Sequence, residues 1–153
     1  MPSAPSTVNG AYLDAHNEER STLGVAPLQW NLTLARSASD WSSKCTNHHS
    51  NGTLGPLGEN LAAGTGAFSV SDAVRYWNLE RGTYDPINPQ PSHWTQVVWK
   101  ETTDSGCSVY ACPAGVIFPG YGIAQYHVCE YWPAGNVLGT LRSVATCTAD
   151  CDR

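Results

Sequence analysis

Charge is what this chain has least of. Only 14% of its 153 residues are Asp, Glu, Lys or Arg, and the formal net charge is -5. No run of Lys and Arg interrupts it, which argues against a nucleic-acid partner. A weakly acidic surface also gives no electrostatic attraction to anionic lipid headgroups. No stretch of 18 apolar residues occurs, so no transmembrane segment is expected. The HExxH pattern of metalloproteases and the GxSxG nucleophile elbow are both missing. There is no Cys-x-x-Cys pair, which disfavours a zinc ribbon or a thioredoxin-type site. No internal repeat is visible. Met1–Ser6 has neither the basic start nor the apolar core of a signal peptide. Met1 therefore reads as an initiator before a mature sequence, and residues 1–8 as a flexible leader.

What is present is aromatic surface and cysteine. Six Trp and seven Tyr supply large apolar areas, and the length suffices for one domain with its own core. Six cysteines in a chain this size point to an oxidising compartment. Two Asn-x-Thr sequons, at Asn31 and Asn51, agree with an extracellular destination.

Periodicity divides the chain into helices first and strands later. A first helix is expected over Asn9 to Leu23, with Tyr12, Ala15, His16 and Glu19 on one side and Gly24 stopping it. Pro27–Trp30 reads as extended. Asn31 can cap a second helix, whose apolar stripe is Leu34, Ala35, Ala38, Trp41 and Cys45. A glycan on Asn31 would leave its amide oxygen free for that cap. Residues 46–68 are polar and Gly-rich and read as loop. Ser69 can cap a third helix with Asp72 three residues on, and Glu80 falls at the edge of its apolar stripe. A carboxylate in that place must be paired, hydrogen-bonded or metal-bound. Residues 82–92 are loop, with a helical turn after His93. Strand candidates follow at Cys107–Cys112, Gly115–Phe118 and Gly122–Trp132. The last has apolar residues on both faces, which predicts a central strand covered on two sides. This order of elements implies α+β packing.

The motifs are more specific than the periodicity. His93-Trp94-Thr95-Gln96-Val97-Val98-Trp99 is followed by Gly106-Cys107 and by Tyr126-His127-Val128-Cys129-Glu130-Tyr131-Trp132-Pro133. Upstream stand His49-Ser50 and Gly58-Glu59-Asn60-Leu61. In this order, from about Gly10 to about Leu141, the chain resembles the CAP superfamily of cysteine-rich secretory proteins, antigen 5 and pathogenesis-related proteins of group one. The wording of the motifs is nearest to fungal members. The resemblance implies a three-layer α-β-α sandwich with a mostly antiparallel central sheet over residues 9–142, followed by a tail, 143–153. It also implies bridges Cys45–Cys112 and Cys107–Cys129; by sequence alone six cysteines allow fifteen pairings. Cys147 and Cys151 are expected to close a small loop, with a free thiol as the alternative.

The same resemblance implies a cleft lined by His49, Glu59, Glu80 and His93. Imidazole and carboxylate suit zinc or another divalent cation. Two His–Glu pairs can equally satisfy one another as an internal network, and metal-assisted hydrolysis is a third reading. Ser50 and Ser92 adjoin the histidines, but no third member of a triad is identifiable. His16, His48 and His127 read as packing or surface residues. Some relatives bind lipids, using an aromatic-rich loop before the His-x-Thr-Gln motif for sterols or a groove between two helices for fatty acids. Here that loop region offers Tyr84, Ile87 and the following Trp94, and its prolines stiffen it. A fatty acid is thus the expected lipid rather than a sterol. The expectation is a secreted, monomeric, pathogenesis-related-like protein, leaning away from enzyme activity. A metal-dependent hydrolase, or a signalling or host-interaction protein with a vestigial cleft, are the alternatives.

Overall fold

The computed structural model describes residues 7–139. Helix α1 spans Val8–Thr22, strand β1 Gln29–Trp30, helix α2 Leu32–Ser42, strand β2 Gly58–Thr65 and helix α3 Val70–Asn78. A 3-10 turn over Leu79–Thr83 leads to helix α4 at His93–Val97, and strands β3, Asp104–Cys112, and β4, Ala124–Trp132, complete the fold. The sheet runs β1-β3-β4-β2. Only β1 pairs in parallel, with β3; the other ladders are antiparallel. Helix α2 covers one face of the sheet, and α1, α3 and α4 cover the other. The expected three-layer α-β-α sandwich is therefore present.

Local chemistry sets the helix boundaries. Helix α1 starts at Val8 rather than Asn9 because the Thr7 hydroxyl accepts from the Gly10 N–H. Asn31 caps α2 as expected, its Oδ1 accepting from the Thr33 and Leu34 N–H groups. Ser69 and Asp72 form a reciprocal capping box on α3. Two strand expectations need correction. The supposed loop of residues 46–68 contains the whole of β2, which pairs with β4 from Gly58↔Tyr131 to Thr65↔Ala124. Residues 115–118 form no strand; they lie in the turn between β3 and β4.

Strand β4 lies between β3 and β2 and is covered on both faces. Tyr126 and Val128 face α2, while Cys129 and Tyr131 face the other helices. Both bridges implied by the resemblance are formed. Cys45–Cys112 fastens the end of α2 to β3, and Cys107–Cys129 joins β3 to β4 across a directly paired position. Cys147 and Cys151 lie outside the described residues. Gly106, next to Cys107, is where α2 comes closest to the sheet: a Cβ there would collide with the Ala35 backbone nitrogen.

His16 and His127 are buried packing residues, each held at both nitrogens. His16 Nδ1 donates to the Tyr12 carbonyl at 2.7 Å, so its Nε2 accepts from the Tyr131 hydroxyl at 2.7 Å. His127 Nε2 donates to the Phe68 carbonyl at 3.0 Å, and its Nδ1 accepts from the Tyr12 hydroxyl at 2.6 Å. Burial pushes His16 down to about 4, which keeps it neutral and fixes that pattern.

Arg20 closes the α1–α4 side. It is 1% exposed and pairs with no carboxylate among the described residues; its guanidinium donates to the carbonyls of Ala26, Val97, Trp99 and Thr102 at 2.8–3.0 Å. One planar group thus satisfies the carbonyls around the end of α4. Arg20→Met should lower unfolding free energy by about 3 kcal/mol or more, because those buried acceptors lose their donor. Arg20→Lys should recover only part, since an ammonium cannot span the same fork. Urea unfolding of both variants checks this; a loss under about 1 kcal/mol in Arg20→Met would contradict it.

Candidate functional site

The four residues implied for the cleft come from four different parts of the chain. His49 lies on the loop after α2 and Glu59 on β2. Glu80 lies on the 3-10 turn after α3, and His93 opens α4. All four line one cleft of about 360 Å³, together with Asn60, Pro91, Ser92 and Asn136.

Within it they form two His–Glu pairs. His93 Nδ1 donates to Glu80 Oε1 at 2.7 Å. The other Glu80 oxygen accepts from the His93 and Trp94 backbone N–H groups at 2.6 and 3.2 Å. Glu80 therefore holds both the His93 ring and the first turn of α4. Burial raises its carboxyl, but these donors outweigh that and hold it below the usual range. The His93 ring also stacks on Trp77, 6.3 Å between centroids and 19° between planes.

In the second pair, His49 Nδ1 donates to Glu59 Oε1 at 2.6 Å, and the Ser50 N–H donates to the same oxygen at 3.0 Å. The Glu59 side chain is 7% exposed, while that of His49 is 53% exposed. Glu59 raises the His49 imidazole above its usual value. In both pairs Nδ1 is committed to a carboxylate, so Nε2 is the nitrogen left to meet a ligand.

The neighbouring motif residues position the pairs. Asn60 Nδ2 donates to the His93 carbonyl at 3.0 Å and to the Tyr131 hydroxyl at 3.3 Å. The pleat thus sends Glu59 into the cleft and Asn60 into the core behind it. Gln96 accepts from the Gly135 N–H and packs where a Cβ on Gly58 would otherwise sit. Asn136 Nδ2 donates to the Ser92 carbonyl at 2.9 Å, which ties the far wall to α4.

Two residues of the site escaped the sequence reading. Asn136 is one. The other is Glu130, directly opposite Glu59 in the β2–β4 ladder and 0% exposed. As carboxylates neither could donate to the other, and both Glu130 oxygens and Glu59 Oε2 would be buried without a partner. One proton on Glu130 lets the acid donate to the Glu59 carboxylate, which partners Glu59 Oε2 and one of the two Glu130 oxygens. Burial, then the hydrogen bond and charge of Glu59, push Glu130 up to about 10. Burial also works to raise Glu59, but His49, Glu130 and Ser50 together hold it down at about 2. The only sequence signal was a glutamate on the apolar face of a two-sided strand.

Ser92 caps α4, its hydroxyl accepting from the Thr95 N–H, and no hydrogen bond links the Ser50 or Ser92 hydroxyl to an imidazole among the described residues. Of the three lipid-loop residues, Trp94 is in the core with its indole on Glu19, and Tyr84 packs against it at 5.1 Å. Ile87 alone is fully outward, 93% exposed. His48 is on the surface. Asn51 is exposed and Asn31 half-buried.

The neutral acid has a thermodynamic signature. Folded Glu130 keeps its proton up to about 10, whereas an ordinary glutamate loses it near 4.5. Between these values the folded state binds the extra proton, so this residue makes stability fall as pH rises. Glu130→Gln removes the titration but keeps a donor toward Glu59. In urea unfolding at about pH 5, 7 and 9, the variant should gain on the parent as pH rises, by at most about 1.4 kcal/mol per pH unit. A difference independent of pH would show that Glu130 is not held neutral.

Comparison with known proteins gives one answer. The description of the cysteine-rich secretory protein family, CAP, matches residues 13–131. Fruiting body protein SC7 of Schizophyllum commune is 38% identical over 143 residues, 87% of this chain and 68% of that protein. Pathogenesis-related protein 1B of Nicotiana tabacum is 37% identical over 139 residues, 84% of this chain and 76% of its own length. The chain spans about two thirds of the length of the fruiting-body relatives it matches, SC14 among them. Among solved structures, NaASP2 with Zn2+ superposes with a TM-score of 0.69 at 21% identity, over 88% of this chain and 83% of that one. The family match over most of the chain and the fungal and plant relatives at 37–38% identity make this chain a pathogenesis-related-like member of the CAP, or cysteine-rich secretory protein, family.

Proposed function

We propose that this is a secreted binding protein whose cleft takes a divalent cation on the imidazoles of His49 and His93 and whose adjoining apolar pocket takes a small lipid. The observation that carries the cation reading is that both Nδ1 atoms are held by carboxylates inside one cleft. This is the carboxylate–histidine arrangement that orients imidazoles toward metals. Among the described residues no three His, Cys, Asp or Glu side chains gather as a ligand set. A cation in this cleft would be held by two nitrogens and completed by water or ligand, with Glu59 and Glu80 orienting rather than ligating. Such a site is weaker than a three- or four-ligand zinc centre. The Zn2+ in a similarly folded protein makes zinc the first probe. Secretion is supported by the two disulfides and by family membership, and no described helix is long and apolar enough to cross a membrane.

The lipid reading rests on a second pocket of about 370 Å³ that shares His93 with the cleft. Its other walls are Leu61, Ala62, Ala63, Phe68, Tyr76 and Phe118, with the polar Asn47 beside them. Helix α3 contributes Tyr76 and helix α4 contributes its first residue, His93, while β2 and loop residues complete the walls. A volume of this size is within the range of small-ligand pockets.

Calorimetric titration of zinc into metal-free protein should give micromolar binding that His49→Ala/His93→Ala abolishes. Glu59→Gln and Glu80→Gln should weaken it roughly ten- to a hundredfold each, as orienting partners do. Equal binding by the parent and the double variant would leave the pairs as an internal network. For the pocket, Tyr76→Ser and Phe118→Ser should each weaken binding of a fluorescent fatty acid severalfold without changing zinc affinity. Unchanged fatty-acid binding in both would remove the lipid from this pocket.

A further inference from the structure

The two sequons occupy opposite environments. The Asn31 amide is engaged at both ends: Oδ1 caps α2, and Nδ2 lies 3.5 Å from Asp104 Oδ1. Its own carbonyl packs against Gly106. A sugar on Nδ2 would have to fit beside Asp104 in this half-buried corner. The Asn51 amide has no hydrogen bond to any described residue and is exposed at a turn, where its backbone takes φ 51°. That turn is closed by Thr53, whose hydroxyl donates to the Ser50 carbonyl. Asn51 also lines a polar hollow of about 260 Å³ with His49, Glu59, Gln96 and Asn136. The hollow shares His49, Glu59 and Asn136 with the cleft.

We propose that Asn51, and not Asn31, is the N-glycosylation site of this protein, and that its glycan stands on the His49 side of the cleft mouth and restricts what can reach that pair. The inference rests on the secretion reading, because the sugar donor, a polyisoprenyl-diphosphate oligosaccharide, is met in the secretory pathway. In the transfer the Asn51 Nδ2 forms a bond to the anomeric carbon, the bond from that carbon to the diphosphate oxygen breaks, and one amide proton leaves to the transferase's base. The product keeps one N–H and a neutral amide. A bulky, hydrated group then sits beside His49. His93, at the Glu80 end of the cleft and next to the apolar pocket, stays accessible. The glycan would thus favour ligands entering from the apolar side.

The test is secretory expression in a fungal host, with enzymatic deglycosylation in 18O-water and peptide mass spectrometry. The 18O mark is expected at position 51 and not at 31. Thr53→Ala, which leaves Asn51 in place, and Asn51→Gln should each abolish the glycan mass, and Asn31→Gln should not. Carbethoxylation of His49 should be severalfold slower in glycosylated protein than in both unglycosylated variants, with His93 changing much less. An exported, disulfide-bonded protein bare at Asn51, or marked at Asn31 instead, would overturn the site. A glycan at Asn51 that leaves the His49 rate unchanged would overturn its effect on the cleft. A chain retained in the cell with reduced cysteines would sink the secretion reading itself.

Discussion

Everything in this molecule is arranged around a strand that has no free side. Strand β4 pairs with β3 and β2 along both edges and is covered by helices on both faces. A strand so enclosed can be apolar throughout, yet β4 carries His127, Glu130 and the Tyr131 hydroxyl. Each of these must find its partner among neighbouring elements. His127 draws in Tyr12 and the Phe68 carbonyl, and Tyr131 draws in His16 and Asn60. Asn60 in turn reaches the His93 carbonyl. A chain of hydrogen bonds therefore runs from α1 through β4 and β2 to the start of α4. The cleft histidine at its end inherits its position from the interior.

The same enclosure explains the electrostatics of the other half of the cleft. Glu130 cannot ionise beside Glu59 without stranding two negative charges in the core. The acid stays neutral, and the adjacent carboxylate becomes the single charge that His49 and the Ser50 N–H balance. A residue that never reaches solvent thus sets the charge of one that lines the cleft.

Much of this was legible beforehand where the signal is local. Asn31 and Ser69 announce their helices because a cap is a property of one side chain and the next three amides. Strand β4 was legible because both of its faces are apolar. Strand β2 was not: Gly58-Glu59-Asn60-Leu61-Ala62-Ala63-Gly64-Thr65 has little β propensity of its own and is a strand because β4 templates it. The short run at 115–118 has the composition of a strand but no neighbour to pair with. The four residues named by motif resemblance lie together in one cleft. The resemblance could not expose Glu130 or Asn136, because their roles depend on what lies across the ladder or across a loop.

Although the two His–Glu pairs have the same composition, they are not equivalent, and the difference bears on how the cleft works. Glu80 is fixed by two backbone N–H donors at the start of α4, and His93 is further held by stacking on Trp77. That pair is rigid, and it faces both the cleft and the apolar pocket. Glu59 rests on a shared proton, and its partner His49 is half open to solvent on a loop. Of that pair, only the imidazole is open to solvent. A ligand bridging the cleft would therefore meet one preorganised imidazole and one adjustable imidazole. The first would fix where such a ligand sits, and the second, beside the exposed turn at Asn51, would set the conditions under which it is held.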